Sequence, residues 1–98
     1  MPFFNTALIR VTGTTVYIYT SDEVDLKWIV DQIGKINFVS KHKVNHLAPG
    51  WICIENFKTN KDGINAASAI IKMLVRNSWE HYNFDQYVDG HWFKKRIN

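Results

Sequence analysis

The sequence has 98 residues, of which 46% are hydrophobic and 21% are charged. This length and composition predict a single globular domain and exclude a disordered chain. A net charge of +3 favours encounters with acidic partners, but it does not by itself define a nucleic-acid-binding protein. The single cysteine, Cys53, cannot form an intramolecular disulfide, which favours a cytoplasmic protein.

The sequence shows no signal-peptide pattern and no apolar run near the ~20 residues of a membrane span. We therefore expect a cytoplasmic protein without membrane association. Ile, Asn and Lys are the commonest residues, with 11, 9 and 9 copies. Their codons are AT-rich, as in many bacteriophage genomes, which suggests a phage-encoded protein that acts in the host cytoplasm.

The first half of the chain predicts a β-hairpin followed by a helix. Runs of β-branched and apolar residues at 5–11 and 15–20 flank a turn around Gly13. A helix is then predicted over about residues 22–33, ending at Gly34. The apolar residues that share one face of this helix are Leu26, Ile29, Val30 and Ile33.

Two further strands and a second helix are predicted next. Residues 36–44 have a polar pattern that is typical of an edge strand. Residues 51–57 have an apolar pattern that predicts a central strand. Asn60 or Asp62 is predicted to cap the second helix, which is expected to end near Arg76-Asn77-Ser78. Its apolar stripe is Ile64, Ala67, Ile71 and Leu74, widened by Ile70 and Val75.

The last segment predicts another hairpin. Asp89-Gly90 is a type I′ turn signal between arms at 82–88 and 91–97. The predicted order is therefore β-β-α-β-β-α-β-β. It indicates an α+β, two-layer sandwich with two helices on one face of an antiparallel sheet, and a ferredoxin-like core extended by terminal hairpins.

Alternation within the strands separates two faces of this sheet. Val16, Ile18, Ile52 and Ile54 are expected to face the helices. The opposite face is then expected to carry the aromatic residues Tyr17, Tyr19, Trp51 and Phe57. These rings either form a ligand-binding face or become core beneath the C-terminal hairpin.

Two segments on these strands have a further likeness. Residues 16–21, Val-Tyr-Ile-Tyr-Thr-Ser, and residues 50–54, Gly-Trp-Ile-Cys-Ile, resemble the shorter signature and part of the longer signature of the RNA-recognition motif. The resemblance implies that Tyr17 and Trp51 stack bases of single-stranded RNA. The sequence departs from the family where Pro49 replaces a basic residue and Cys53 replaces an aromatic one, so the likeness is one of pattern and assigns no family.

Two basic clusters accompany aromatic residues, as in proteins that bind single strands. Lys41 and Lys43 belong to the first, and Lys94, Lys95 and Arg96, beside Trp92, belong to the second. The alternative is that these lysines keep the sheet edges soluble.

The histidines give little support to catalysis or metal binding. His42 and His46 have a metal-ligand spacing only if they lie on a helix, and the local pattern is not helical. His81 and His91 with Glu80 and Asp85 are candidates for acid–base cleavage of RNA, although no spacing rule selects them. No nucleotide-binding fingerprint is present. We therefore expect no cofactor and no metal, and we do not expect an enzyme.

The sequence leaves three functions open. We expect first a small non-catalytic factor that binds a protein partner, such as a phage-encoded inhibitor of a host protein. The alternative is a single-stranded nucleic-acid-binding module with an aromatic sheet face. A third alternative is a homodimer formed through that face or through the edge of the C-terminal hairpin.

Overall fold

The computed structural model describes residues 3–97. Within this range the chain forms two helices and one six-stranded antiparallel sheet, which confirms the predicted α+β class. The strands are β1 (Phe4–Thr12), β2 (Thr15–Thr20), β3 (Val44–His46), β4 (Trp51–Ile54), β5 (Glu80–Asp85) and β6 (Gly90–Arg96). The helices are α1 (Glu23–Ile33) and α2 (Asn60–Arg76). Across the sheet the strands lie in the order β3-β4-β2-β1-β6-β5.

Each helix begins at a side-chain cap. The carboxylate of Asp22 accepts hydrogen bonds from the backbone N–H groups of Val24 and Asp25 and begins α1. Thr59 caps α2, with the Asp62 N–H donating to its hydroxyl over 3.1 Å. The predicted caps Asn60 and Asp62 were therefore wrong, because the extended residue that precedes the helix is Thr59. Asp62 instead lies in the first turn, where its charge favours the helix dipole.

Both helices cover the same face of the sheet. Their buried residues join Ile9, Ile18 and Phe93 of the sheet in one core cluster. The stripe of α2 differs from the predicted one, since Ile64 and Val75 are each 55% exposed. The buried residues of α2 are Gly63, Ala66, Ala67, Ile70, Met73 and Leu74.

Two predicted elements differ from the structure. Residues 36–42 form turns after α1, and β3 begins only at Val44. Here the backbone N–H groups of Val39 and Ser40 donate to the Ile36 carbonyl and close a turn, and Val39 is fully buried in the core. The predicted two-residue turn at Asp89-Gly90 is also wrong. Gly90 pairs with Asp85 as the first residue of β6, leaving a four-residue loop.

The C-terminal hairpin extends the sheet. β6 pairs with β1 along its length, from Phe4 opposite Arg96 to Arg10 opposite Gly90, and β5 forms the outer edge. The hairpin therefore does not fold over the aromatic face. Neither helix within residues 3–97 is long and apolar enough to cross a bilayer.

Candidate binding face

The candidate site is the sheet face that points away from the helices, here called the open face. No element of residues 3–97 lies over it, because the helices pack on the other side and the hairpin lies in the sheet. Strand pairing aligns four side chains across its middle: Trp51, Tyr19, Leu8 and Trp92. We call these four residues the central row.

The aromatic members of the central row contact one another. The ring centroid of Tyr19 lies 5.1 Å from that of Trp51 and 6.0 Å, edge to face, from that of Trp92. All three side chains are partly exposed. Tyr17, Tyr19 and Trp51 share this face, as alternation predicted. Such ring pairs contribute about 0.5–1.5 kcal/mol beyond simple burial, so they stabilise this arrangement of the three rings.

Leu8 lies between Tyr19 and Trp92 in the strand register and is only 1% exposed, and the two rings contact each other edge to face. A Cβ on Gly90 would lie 2.6 Å from the Cδ1 atom of Leu8, so glycine is required for Leu8 to pack in this position. The central row is therefore a continuous apolar strip across four strands.

Arg10 adds a cation to this face beside the central row. It lies opposite Tyr17 on β2, and its guanidinium carbon is 6.0 Å from the Tyr17 ring centroid. Its Nε atom is buried without a hydrogen-bond partner among residues 3–97. Sequence reasoning missed Arg10, although its alternation with Leu8 in β1 was the signal that placed it here.

The second basic cluster divides between the two faces. The Lys94 Nζ atom lies 4.8 Å from the Phe4 ring centroid and 5.7 Å from that of Tyr82. Arg96 has the same alternation as Lys94 and pairs with Phe4. Lys95 faces the helices instead, where its Nζ lies 2.9 Å from the Asp25 carboxylate. Lys95 is therefore a structural residue and is not part of the open face.

Three other predicted binding residues also lie away from the central row. Phe57 is 4% exposed and packs in the core, because β4 ends at Ile54 and Asn56 has a φ of +65° that redirects the chain. Lys41 and Lys43 are exposed before β3. They precede β3, which is four strands across the sheet from β6 and its Lys94. The structure does not bring the two basic clusters together.

Charges on the open face are balanced. Arg10, Lys94 and Arg96 provide its positive side chains, and Glu55, Glu80 and Asp85 provide negative ones. One oxygen of Asp85 accepts a bond from the Trp92 indole N–H over 3.4 Å, and the other accepts from the Tyr87 amide over 2.9 Å. The face therefore presents an apolar centre with a mixed polar border.

The histidines form no acid–base site with Glu80 and Asp85. His81 and His91 pair with positions that face the helices, whereas the two carboxylates lie on the open face. The His42 ring packs against Phe57 with centroids 4.2 Å apart. Among residues 3–97, no group of three or more His, Cys, Asp or Glu side chains is placed to hold a metal ion.

Cys53 lies on the open face beside Tyr17 and is 1% exposed. Burial raises the pKa of its thiol, and the hydrogen bond and charge of Glu55 raise it further. Less thiolate is therefore present at pH 8 than in an ordinary cysteine, and we expect iodoacetamide to label the native chain at least about tenfold more slowly than the chain in urea. Mass spectrometry of timed samples checks this. Equal rates would contradict the packing of Cys53.

In comparisons with known proteins, no family model, no curated protein and no solved structure matches the chain.

Proposed function

We propose that the chain is a small, non-catalytic, cytoplasmic module that binds a protein partner through the open face. The observation that carries this proposal is the central row, an apolar strip of one leucine and three aromatic residues that no element of residues 3–97 covers. Trp, Tyr and Arg are the residues most enriched at binding hot spots, and this face has all three. We propose that the chain is encoded by a phage and inhibits a host protein.

A protein fits this face better than a nucleic acid does. The rings of Tyr19, Trp51 and Trp92 pack against one another, so their faces are partly occupied. Binding of single strands depends on a positive groove that follows the phosphates, and here the acidic and basic side chains balance. An apolar centre with a mixed polar border is the anatomy of a protein interface.

The geometry also indicates what the partner provides. An apolar side chain is needed against the partly exposed rings of Tyr19, Trp51 and Trp92, because these rings leave Leu8 only 1% exposed. A carboxylate or a carbonyl oxygen is needed at Arg10, because this partly exposed residue places a cation on the open face beside the central row.

Single-stranded RNA is the second candidate. Tyr17 and Trp51 lie on the sheet face opposite two helices, which is the arrangement that the resemblance to the RNA-recognition motif implies. Arg10 and Lys94 are cations on the same face, and the guanidinium carbon of Arg10 lies 6.0 Å from the Tyr17 ring centroid.

The test compares Trp51→Ala with Tyr87→Ala. Tyr87 is 93% exposed in the β5–β6 loop, so it controls for the loss of an exposed aromatic residue. In a bacterial lysate, we expect the wild-type chain and Tyr87→Ala to retain the same protein. Trp51→Ala is expected to bind that protein, once purified, at least about tenfold more weakly, as for a hot-spot residue. Circular dichroism confirms that each variant is folded.

Two outcomes would contradict the proposal. Equal retention by Trp51→Ala and wild type would exclude the central row as the interface. Quenching of tryptophan fluorescence by single-stranded RNA that weakens as salt rises would favour the second candidate instead. Sedimentation at high concentration tests the homodimer.

We also propose that residues from β2 to α2 form three strands and two helices of a ferredoxin-like core, in which β1 and not β5 takes the position of the fourth strand. β4 lies between β2 and β3, as in a split β-α-β unit, while β1 holds the position on the other side of β2.

A further inference from the structure

Two histidines face each other near the β5 edge of the sheet, on the side of the helices. The Nε2 atom of His81 lies 3.0 Å from the Nδ1 atom of His91, and the ring centroids are 5.1 Å apart. His81 is exposed and His91 is partly exposed. The pair is therefore accessible to a small ion.

A β-bulge brings these side chains to the same face. His81 lies opposite Phe93, but Asn83 lies opposite Trp92, so Tyr82 is an extra residue in β5. With regular pairing, His81 would lie opposite Lys94 and would point to the open face. Bulges reorient single side chains in this way and are common next to functional sites.

Neighbouring rings restrict how far the pair can rotate. The Phe93 ring lies edge to face with His81 at 5.3 Å, and the Phe84 ring lies 4.9 Å from His91. His91 also borders a groove of about 240 Å³ between the hairpin and α2. Ser68 and Asp89 are polar residues that line the same groove. His91 thus lies beside open space, and the two imidazoles already lie close together.

We propose that His81 and His91 form a binding site for one divalent transition-metal ion, such as Zn²⁺, Ni²⁺ or Cu²⁺. Imidazole nitrogen suits these ions, with metal–nitrogen distances of about 2.0–2.1 Å. Tetrahedral coordination at those distances separates the two nitrogens by about 3.3 Å. From the observed 3.0 Å, binding requires a slightly larger separation and a turn of each ring, so that both lone pairs point at the ion instead of along the line between the nitrogens.

Metal binding requires a lone pair on each of the two facing nitrogens. In the neutral pair, one ring donates its N–H to the other across the 3.0 Å contact. When the ion binds, that proton moves to the other nitrogen of the same ring, and both facing nitrogens coordinate the metal. No net proton is released, and water completes the coordination shell.

The test is isothermal titration calorimetry of the purified full chain with Zn²⁺ and, in a separate experiment, with Ni²⁺. We expect one ion per chain and at least a tenfold loss of affinity in both His81→Gln and His91→Gln. His46→Gln is the matched control, because His46 is an exposed histidine on the opposite edge strand, β3. It is expected to bind as wild type does.

Spectroscopy gives a measurement that does not depend on variants. Electron paramagnetic resonance of one equivalent of Cu²⁺ on the wild-type chain is expected to show two nitrogen ligands. Absence of binding by wild type, or binding by His81→Gln equal to wild type, would overturn the proposal. The histidine pair lies on the helix side of the sheet, so a failure of the metal-site proposal does not bear on the proposed function of the open face.

Discussion

Replacing Gly50 with alanine is expected to lower the free energy of unfolding by about 3 kcal/mol. Gly50 has a φ of +84°, and a Cβ there would lie 2.7 Å from the Thr20 carbonyl oxygen and 3.0 Å from Cε1 of Tyr19. The carbonyl belongs to the backbone at the end of β2, and the Thr20 amide donates to the Gly50 carbonyl over 2.9 Å. The clash therefore cannot be relieved by a side-chain rotation alone.

Gly13→Ala is the matched control for this substitution. Gly13 also has a positive φ, +60°, but the nearest atom to a Cβ there is Oδ1 of Asn60 at 3.8 Å. Only the backbone strain applies, so its loss is expected to be about 1 kcal/mol. Urea unfolding followed by circular dichroism measures both variants. An equal decrease in the free energy of unfolding in both variants would contradict the close contact between Gly50 and β2.

Gly50 also connects stability to the candidate site. The residue packs against Tyr19 and directly precedes Trp51, both members of the central row. Moving the β3–β4 turn away from β2 would separate these two rings. We therefore expect the Gly50→Ala chain to show a change in tryptophan emission under conditions where it is still folded, whereas Gly13→Ala should not.

Local patterns in the sequence were sufficient for the parts of the fold with strong periodicity. The apolar spacing from Leu26 to Ile33 and the stop at Gly34 predicted α1 within one residue. The alternation of residues 15–20 separated the core side chains from Tyr17 and Tyr19. These features depend on neighbouring residues, so a single sequence contains them.

Features set by tertiary contacts were not predictable in the same way. Phe57 leaves the open face because Asn56, at a φ of +65°, redirects the chain; asparagine tolerates this conformation, but its presence alone does not predict it. His81 joins His91 only through a bulge that depends on the pairing of β5 with β6. The pattern around Asp89-Gly90 favoured a two-residue turn, but the Asp85 side chain accepts bonds from the loop amides and stabilises a longer loop.

The second large effect is expected from Lys95→Met, which should lower the free energy of unfolding by about 2 kcal/mol. The Lys95 ammonium lies 2.9 Å from the Asp25 carboxylate, whose side chain is 8% exposed. Without the Lys95 ammonium, the Asp25 carboxylate keeps a hydrogen bond from the side-chain amide of Asn5, at 2.7 Å, but loses its ion pair. Water reaches Lys95, which is 31% exposed, so the loss is smaller than for a fully buried pair.

Lys94→Met is the matched control, because the adjacent residue points to the other face. Lys94 contacts the rings of Phe4 and Tyr82, and exposed contacts of this kind contribute about 0.5–1 kcal/mol. Guanidinium unfolding of both variants at the same pH measures the difference. A loss in Lys94→Met equal to that in Lys95→Met would contradict the assignment of the two lysines to opposite faces. The order of effects should reverse for binding of the protein partner, because only Lys94 lies on the face that we propose as the interface.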